Sequence, residues 1–176
     1  MSDSGAPERG FRAALRWLGH GLLSLPPSAV VALVAGWSYL MYWAMTLPGE
    51  EMDTVNYLKS WVNDLGHAPL FGFWVLWMLP LLPRRGDWVA LSARTWIGFL
   101  LLALACGAAS ERLQGTIVGR TESWGDVLTD VLGVASVLWV AGYLGRPDAS
   151  EEGTRSRLIR ALLACCAAAL LATLTV

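Results

Sequence analysis

In 176 residues the chain carries 55% hydrophobic residues, only 15% charged ones and a formal net charge of −1. Ordinary soluble domains hold about 25% charged residues, so the composition excludes that class, and the missing basic excess excludes a nucleic-acid partner. Ten Trp and eighteen Gly fit an all-α membrane protein, where Trp collects at interfaces and Gly at helix contacts.

Residues 1–28 read as a cytoplasmic N-terminus. Within them Arg12 and Arg16 fall one helical turn apart, with Leu15, Leu18 and Leu22 on another face, which predicts an interfacial lead-in helix. A frayed basic terminus is the plainer alternative. A hydrocarbon core about 30 Å thick needs roughly 20 helical residues. Five stretches meet that requirement, Ala29–Leu47, Leu65–Leu82, Trp88–Ala109, Val127–Leu144 and Leu158–Thr175, so a polytopic bundle of five spans is predicted.

The first span is too long for a signal-peptide core and has no convincing cleavage site after it, so it reads as a retained anchor. Between it and the second span, Val55, Leu58, Val62 and Leu65 recur at helical spacing among polar residues. That pattern predicts a short amphipathic helix on the outer interface. The second span is the weakest; Pro69 is expected in its first turns and Pro80 near its end, both tolerated positions.

Residues 29–145 form the expected transmembrane core, and 146–176 a cytoplasmic loop with a last spanning helix. In that helix Ala161, Ala164 and Ala168 make a small-residue stripe. Such a stripe permits close packing within the chain or between chains, which leaves a homo-oligomer open. Cys106, Cys165 and Cys166 all fall in apolar spans and read as small buried hydrophobes. The two histidines, His20 and His67, are far apart in sequence. No metal site and no cofactor is therefore expected.

Orientation follows from the basic residues. With the N-terminus inside, Arg9, Arg12, Arg16, Arg84, Arg85, Arg94, Arg146, Arg155, Arg157 and Arg160 lie at the cytoplasmic face, against Lys59, Arg112 and Arg120 outside. The positive-inside rule then predicts N-in, C-out. A bacterial plasma membrane is the expected location.

This topology puts the polar run from Ser110 to Asp130 on the external face. Glu111 and Gln114 share a face at the end of the third span. Asp126, Asp130 and Gly133 form one stripe on the fourth, and Ser123 is placed to cap its N-terminus. Asp126 also suits a first-turn acid that opposes the positive helix end. Glu111 with Arg120 would make a loop-closing salt bridge, and Gly133 a helix-packing position. Asp130 is the hardest to explain as structural, since an acid at span centre costs about 2.5–3.5 kcal/mol. His67, at the external start of the second span, joins the same leaflet.

These residues resemble a known family. Glu111-x-x-Gln114, then Arg120, then Asp126-x-x-x-Asp130-x-x-Gly133 is similar to the signature of the VanZ-like membrane proteins, in which a Glu-x-x-Gln pair precedes an Arg and an Asp-x-x-x-Asn-x-x-Gly motif. That family's upstream Asp-Lys-x-x-His-Phe motif corresponds to Asn63-Asp64-Leu-Gly-His67-Ala-Pro-Leu-Phe71 here. Asn63 and Asp64 stand for the family's Asp and Lys, and Asp130 for its Asn, which makes this cluster more acidic than the family pattern. The resemblance covers roughly Asn63 to Val140. It implies a small polytopic protein of the cell envelope, in a family whose founding member is associated with resistance to the glycopeptide antibiotic teicoplanin and whose other members mostly have no assigned reaction.

Three functions fit the residues. The cluster could hold the polar headgroup of a membrane lipid, a lipid-linked cell-wall intermediate or an amphiphilic antibiotic. Arg120 would then be the anion contact, with Glu111, Gln114 and Asp130 as hydrogen-bonding partners. It could instead form a membrane-embedded hydrolase or transferase, with His67 as acid or base, Asp126 or Asp130 orienting it and Arg120 stabilising negative charge. In the third reading it is a polar knot that only fixes helix register. The first is the leading expectation.

Overall fold

The computed structural model describes residues 10–46, 57–118 and 122–174, with the side chains of 57–63 and 172–174 set aside. Six helices make up the described chain: α1 (Phe11–Leu23), α2 (Pro27–Thr46), α3 (Tyr57–Met78), α4 (Ala93–Gln114), α5 (Trp124–Leu144) and α6 (Glu151–Leu174). Three of them, α2, α4 and α5, are long and apolar enough to cross a membrane. α5 is the central helix, packed against α3, α4 and α6, and it contributes Val134, Leu138, Ala141 and Leu144 to the core.

The outer surface is apolar, unlike that of a water-soluble bundle. Ile97, Leu101 and Leu104 on α4 and Leu162, Leu163 and Leu170 on α6 are all exposed. Of the last helix's small residues, Ala161 and Ala168 face inward with Cys165, and Ala164 faces out. That inward face lets α6 lie close to its neighbours.

Helices run through all five predicted stretches with shifted bounds, and among the described residues three of them, not five, meet the length and hydropathy of a span. α3 begins at Tyr57, so Pro69 lies inside the helix and not in its first turns. There it removes one intrahelical hydrogen bond. Of the predicted interfacial helix, Val55 lies outside the described residues, and Leu58, Val62 and Leu65 belong to α3, which runs on without a break into the second predicted span. Trp88 does not open the third span. It lies on a two-stranded hairpin, β1 (Arg84–Arg85) with β2 (Trp88–Val89), whose turn contains Gly86 at φ +66°. Only glycine adopts that conformation at low cost. α4 then starts at Ala93, capped by Ser92 Oγ, which accepts from the Thr95 N–H.

Trp88 anchors this end of the bundle. It is buried between Gly19 and Gly145, donates its indole N–H to the Ala141 carbonyl at 2.8 Å, and meets His20 edge-on at 5.5 Å. Arg16 pairs with Asp87 at 3.0 Å, and Arg84 donates to the Leu23 carbonyl. At the start of α1 the backbone N–H groups of Phe11 and Arg12 donate to the Glu151 carboxylate, both at 2.9 Å. Those N–H bonds hold the Glu151 carboxyl below its usual range, so the clamp is complete at neutral pH and is lost as pH falls through that lowered value. The lead-in helix is thereby fixed to α6 and the hairpin. The basic residues of this end are about 27 Å from Asp126, taking α5 at 1.5 Å per residue.

Candidate functional site

At the opposite end of α5 three helices supply a polar cluster. α3 brings Asp64 and His67, the last turn of α4 brings Glu111 and Gln114, and the first turns of α5 bring Asp126 and Asp130. All six are buried, Asp130 completely. Burial of this kind is costly unless every charge is paired or bound.

The helix ends position these groups. Ser123 caps α5, its Oγ accepting from the Asp126 N–H at 3.4 Å. Glu111 reaches across from α4, and its Oε2 accepts from the Ser123 N–H at 2.6 Å. One acid thus satisfies a donor that the start of the neighbouring helix leaves over, and ties the C-terminus of α4 to the N-terminus of α5. Gln114, one turn further along α4, is buried beside it.

His67 lies between the two acids of α5. Its Nδ1 is 3.1 Å from Asp130 Oδ1, and its Nε2 is 3.9 Å from Asp126 Oδ2. With Asp130 ionised, its carboxylate can only accept; Nδ1 is then the donor to it, and Nε2 faces Asp126. The second distance is too long for a hydrogen bond. Oδ1 of Asp126 and Oδ2 of Asp130 are buried and have no hydrogen-bond partner among the described residues.

Two glycines make room for this arrangement. A Cβ on Gly107 of α4 would lie 2.8 Å from Asp130 Oδ2. A Cβ on Gly133 would run into the backbone of Ala68, next to His67. The second contact packs the α3 backbone directly on Gly133 of α5, one residue along from His67.

His67, Glu111, Gln114, Ser123, Asp126, Asp130 and Gly133, singled out from the sequence, thus come together in one region. Arg120 lies outside the described residues. Asp64, which the sequence marks only as a departure from a family pattern, is buried in the cluster, and its charge reaches Asp126. His67, Glu111 and Asp126 each offer a ligand atom, all within 4.8 Å of one another. No local motif announces that trio, because its members come from three different helices.

Beside the cluster lies a cavity of about 670 Å³, with an almost wholly apolar lining from α1, α3, α5 and α6. Leu65, Ala68 and Gly133 are at one end of it, close in sequence to His67 and Asp130, and Leu23 and Leu144 at the other. No family-wide sequence model, curated protein or solved structure matches this chain.

Proposed function

We propose that this is a VanZ-like, five-span protein of the bacterial plasma membrane, oriented N-in and C-out, that recognises an amphiphile at the outer leaflet. The headgroup, from a membrane lipid, a lipid-linked cell-wall intermediate or a glycopeptide-type antibiotic, sits at the cluster, with Arg120 as its anion contact. Glu111, Gln114 and Asp130 provide hydrogen-bonding groups there. The acyl chain runs along the apolar cavity.

The observation that carries this reading is the juxtaposition of a buried polar cluster with an apolar cavity, in a chain whose exterior is also apolar. A pocket with mostly hydrophobic walls and a few convergent polar groups is the usual form of a small-molecule site. The basic residues grouped around α1 and the hairpin support the orientation, since they gather at the end away from the cluster.

The test is the lipid carried through purification. Mass spectrometry of wild type and Arg120→Ala is expected to show one amphiphile enriched in wild type and lost from the variant. Identical profiles would sink headgroup binding.

One observation favours a second reading. An acid hydrogen-bonded to one imidazole nitrogen while the other nitrogen stays open is the arrangement that orients a general base. A membrane-embedded hydrolase or transferase would then use His67 as acid or base, and His67→Ala would abolish turnover of a lipid-linked substrate with the fold intact.

A further inference from the structure

We propose that His67, Glu111 and Asp126 form a binding site for one divalent first-row transition-metal ion such as Mn²⁺ or Zn²⁺, with Asp130 as the group that orients the histidine. The inference stands apart from the amphiphile reading, and either can fail without the other.

Geometry is the first argument. Nitrogen and oxygen ligands bind such an ion at 2.0–2.2 Å, so two of them lie at most about 4.4 Å apart. The three ligand atoms here are within 4.8 Å of one another, and side-chain movements of a few tenths of an ångström close the shell. The Nε2 to Asp126 distance of 3.9 Å is too long for a direct hydrogen bond and suits two ligands on a common ion.

The outer contacts point the same way. A metal-binding imidazole usually donates its other N–H to a carboxylate, which fixes the tautomer and raises the basicity of the ligating nitrogen. His67 does this through Nδ1 to Asp130 at 3.1 Å. Asp126 supplies an independent sign: it is 6% exposed, and its Oδ1 has no hydrogen-bond partner among the described residues. A buried carboxylate oxygen left in that state is costly, and an ion satisfies it.

The donor set selects the class of ion. One imidazole with carboxylates and no thiolate disfavours soft ions, and the nitrogen favours a transition metal over Mg²⁺ or Ca²⁺. With the ion in place Nε2 is a ligand, so His67 cannot also be the general base. The metal site and the acid–base reading therefore exclude each other.

The experiment uses the full chain in detergent, stripped with chelator, equilibrated with Mn²⁺ or Zn²⁺ alone and desalted before elemental analysis. Wild type is expected to retain about one ion per chain, since the described residues hold one such trio. Asp126→Asn and His67→Gln lower the affinity more than about tenfold, and Asp130→Asn by about 10–100-fold, the range for an outer-shell partner. Electron spin-echo spectra of Mn²⁺-loaded wild type show nitrogen modulation from one imidazole, a readout that needs no variant to fold. Wild type without a retained ion, an Mn²⁺ spectrum without nitrogen coupling, or undiminished affinity in the His67→Gln/Asp126→Asn double variant would each overturn the site.

Discussion

Gly133→Ala lowers the stability of the bundle by about 1–3 kcal/mol, the usual cost of overpacking a tight contact. The added methyl would meet the Ala68 carbonyl and Cα, which are backbone atoms and cannot rotate away. α3 has to move off α5, and His67 moves with it away from Asp130. Gly98→Ala on α4 is the control. Its Cβ meets nothing within 4 Å, and alanine exceeds glycine in helix propensity by about 1 kcal/mol, so that variant keeps or gains stability. Unfolding curves of both in the same detergent make the comparison. Equal loss in the two would refute the close approach of α3 and α5.

His67→Leu is the second large effect. It removes the imidazole from between Asp126 and Asp130 and leaves two buried carboxylates facing an apolar side chain. Leaving the buried partner of a lost hydrogen bond unsatisfied costs about 1–3 kcal/mol, and more where that partner is charged. Asp130→Asn behaves differently, since the amide oxygen still accepts from Nδ1 and the side chain keeps its size against Gly107. Its melting temperature stays near that of wild type, while His67→Leu unfolds many degrees lower. If both variants melt together with wild type, His67 is not paired as described.

The sequence made the cluster legible because helical periodicity and membrane cost act locally. Asp126, Asp130 and Gly133 repeat along one stripe, and Glu111 and Gln114 share a turn, so each pair is visible without a fold. The depth of Asp130 within an apolar run marked it as hard to explain structurally. What brings His67 to Asp130 is a contact across 63 positions, set by how closely Gly133 lets α3 approach, and no local pattern encodes that distance.

Asp64 falls just before the predicted start of the second span at Leu65, and because α3 already begins at Tyr57 it lies within the helix and is buried. The hairpin was hidden by its apolar second strand. Trp88 and Val89 continue smoothly into the residues that follow, although Gly86 and Asp87 before them are turn-formers.

Photo-crosslinking distinguishes a headgroup at the cluster with its chain in the cavity from lipid on the outer surface. The amphiphile recovered with wild type is prepared with a diazirine on its acyl chain, reconstituted with the protein, illuminated, and the labelled peptides are mapped. Labelling is expected at cavity-lining positions such as Gly72 on α3, Val137 on α5 and the buried Ala161 on α6, and is lost in Arg120→Ala. Labelling confined to the outward residues Ile97, Leu101 and Leu104 of α4, unchanged in the variant, would contradict it.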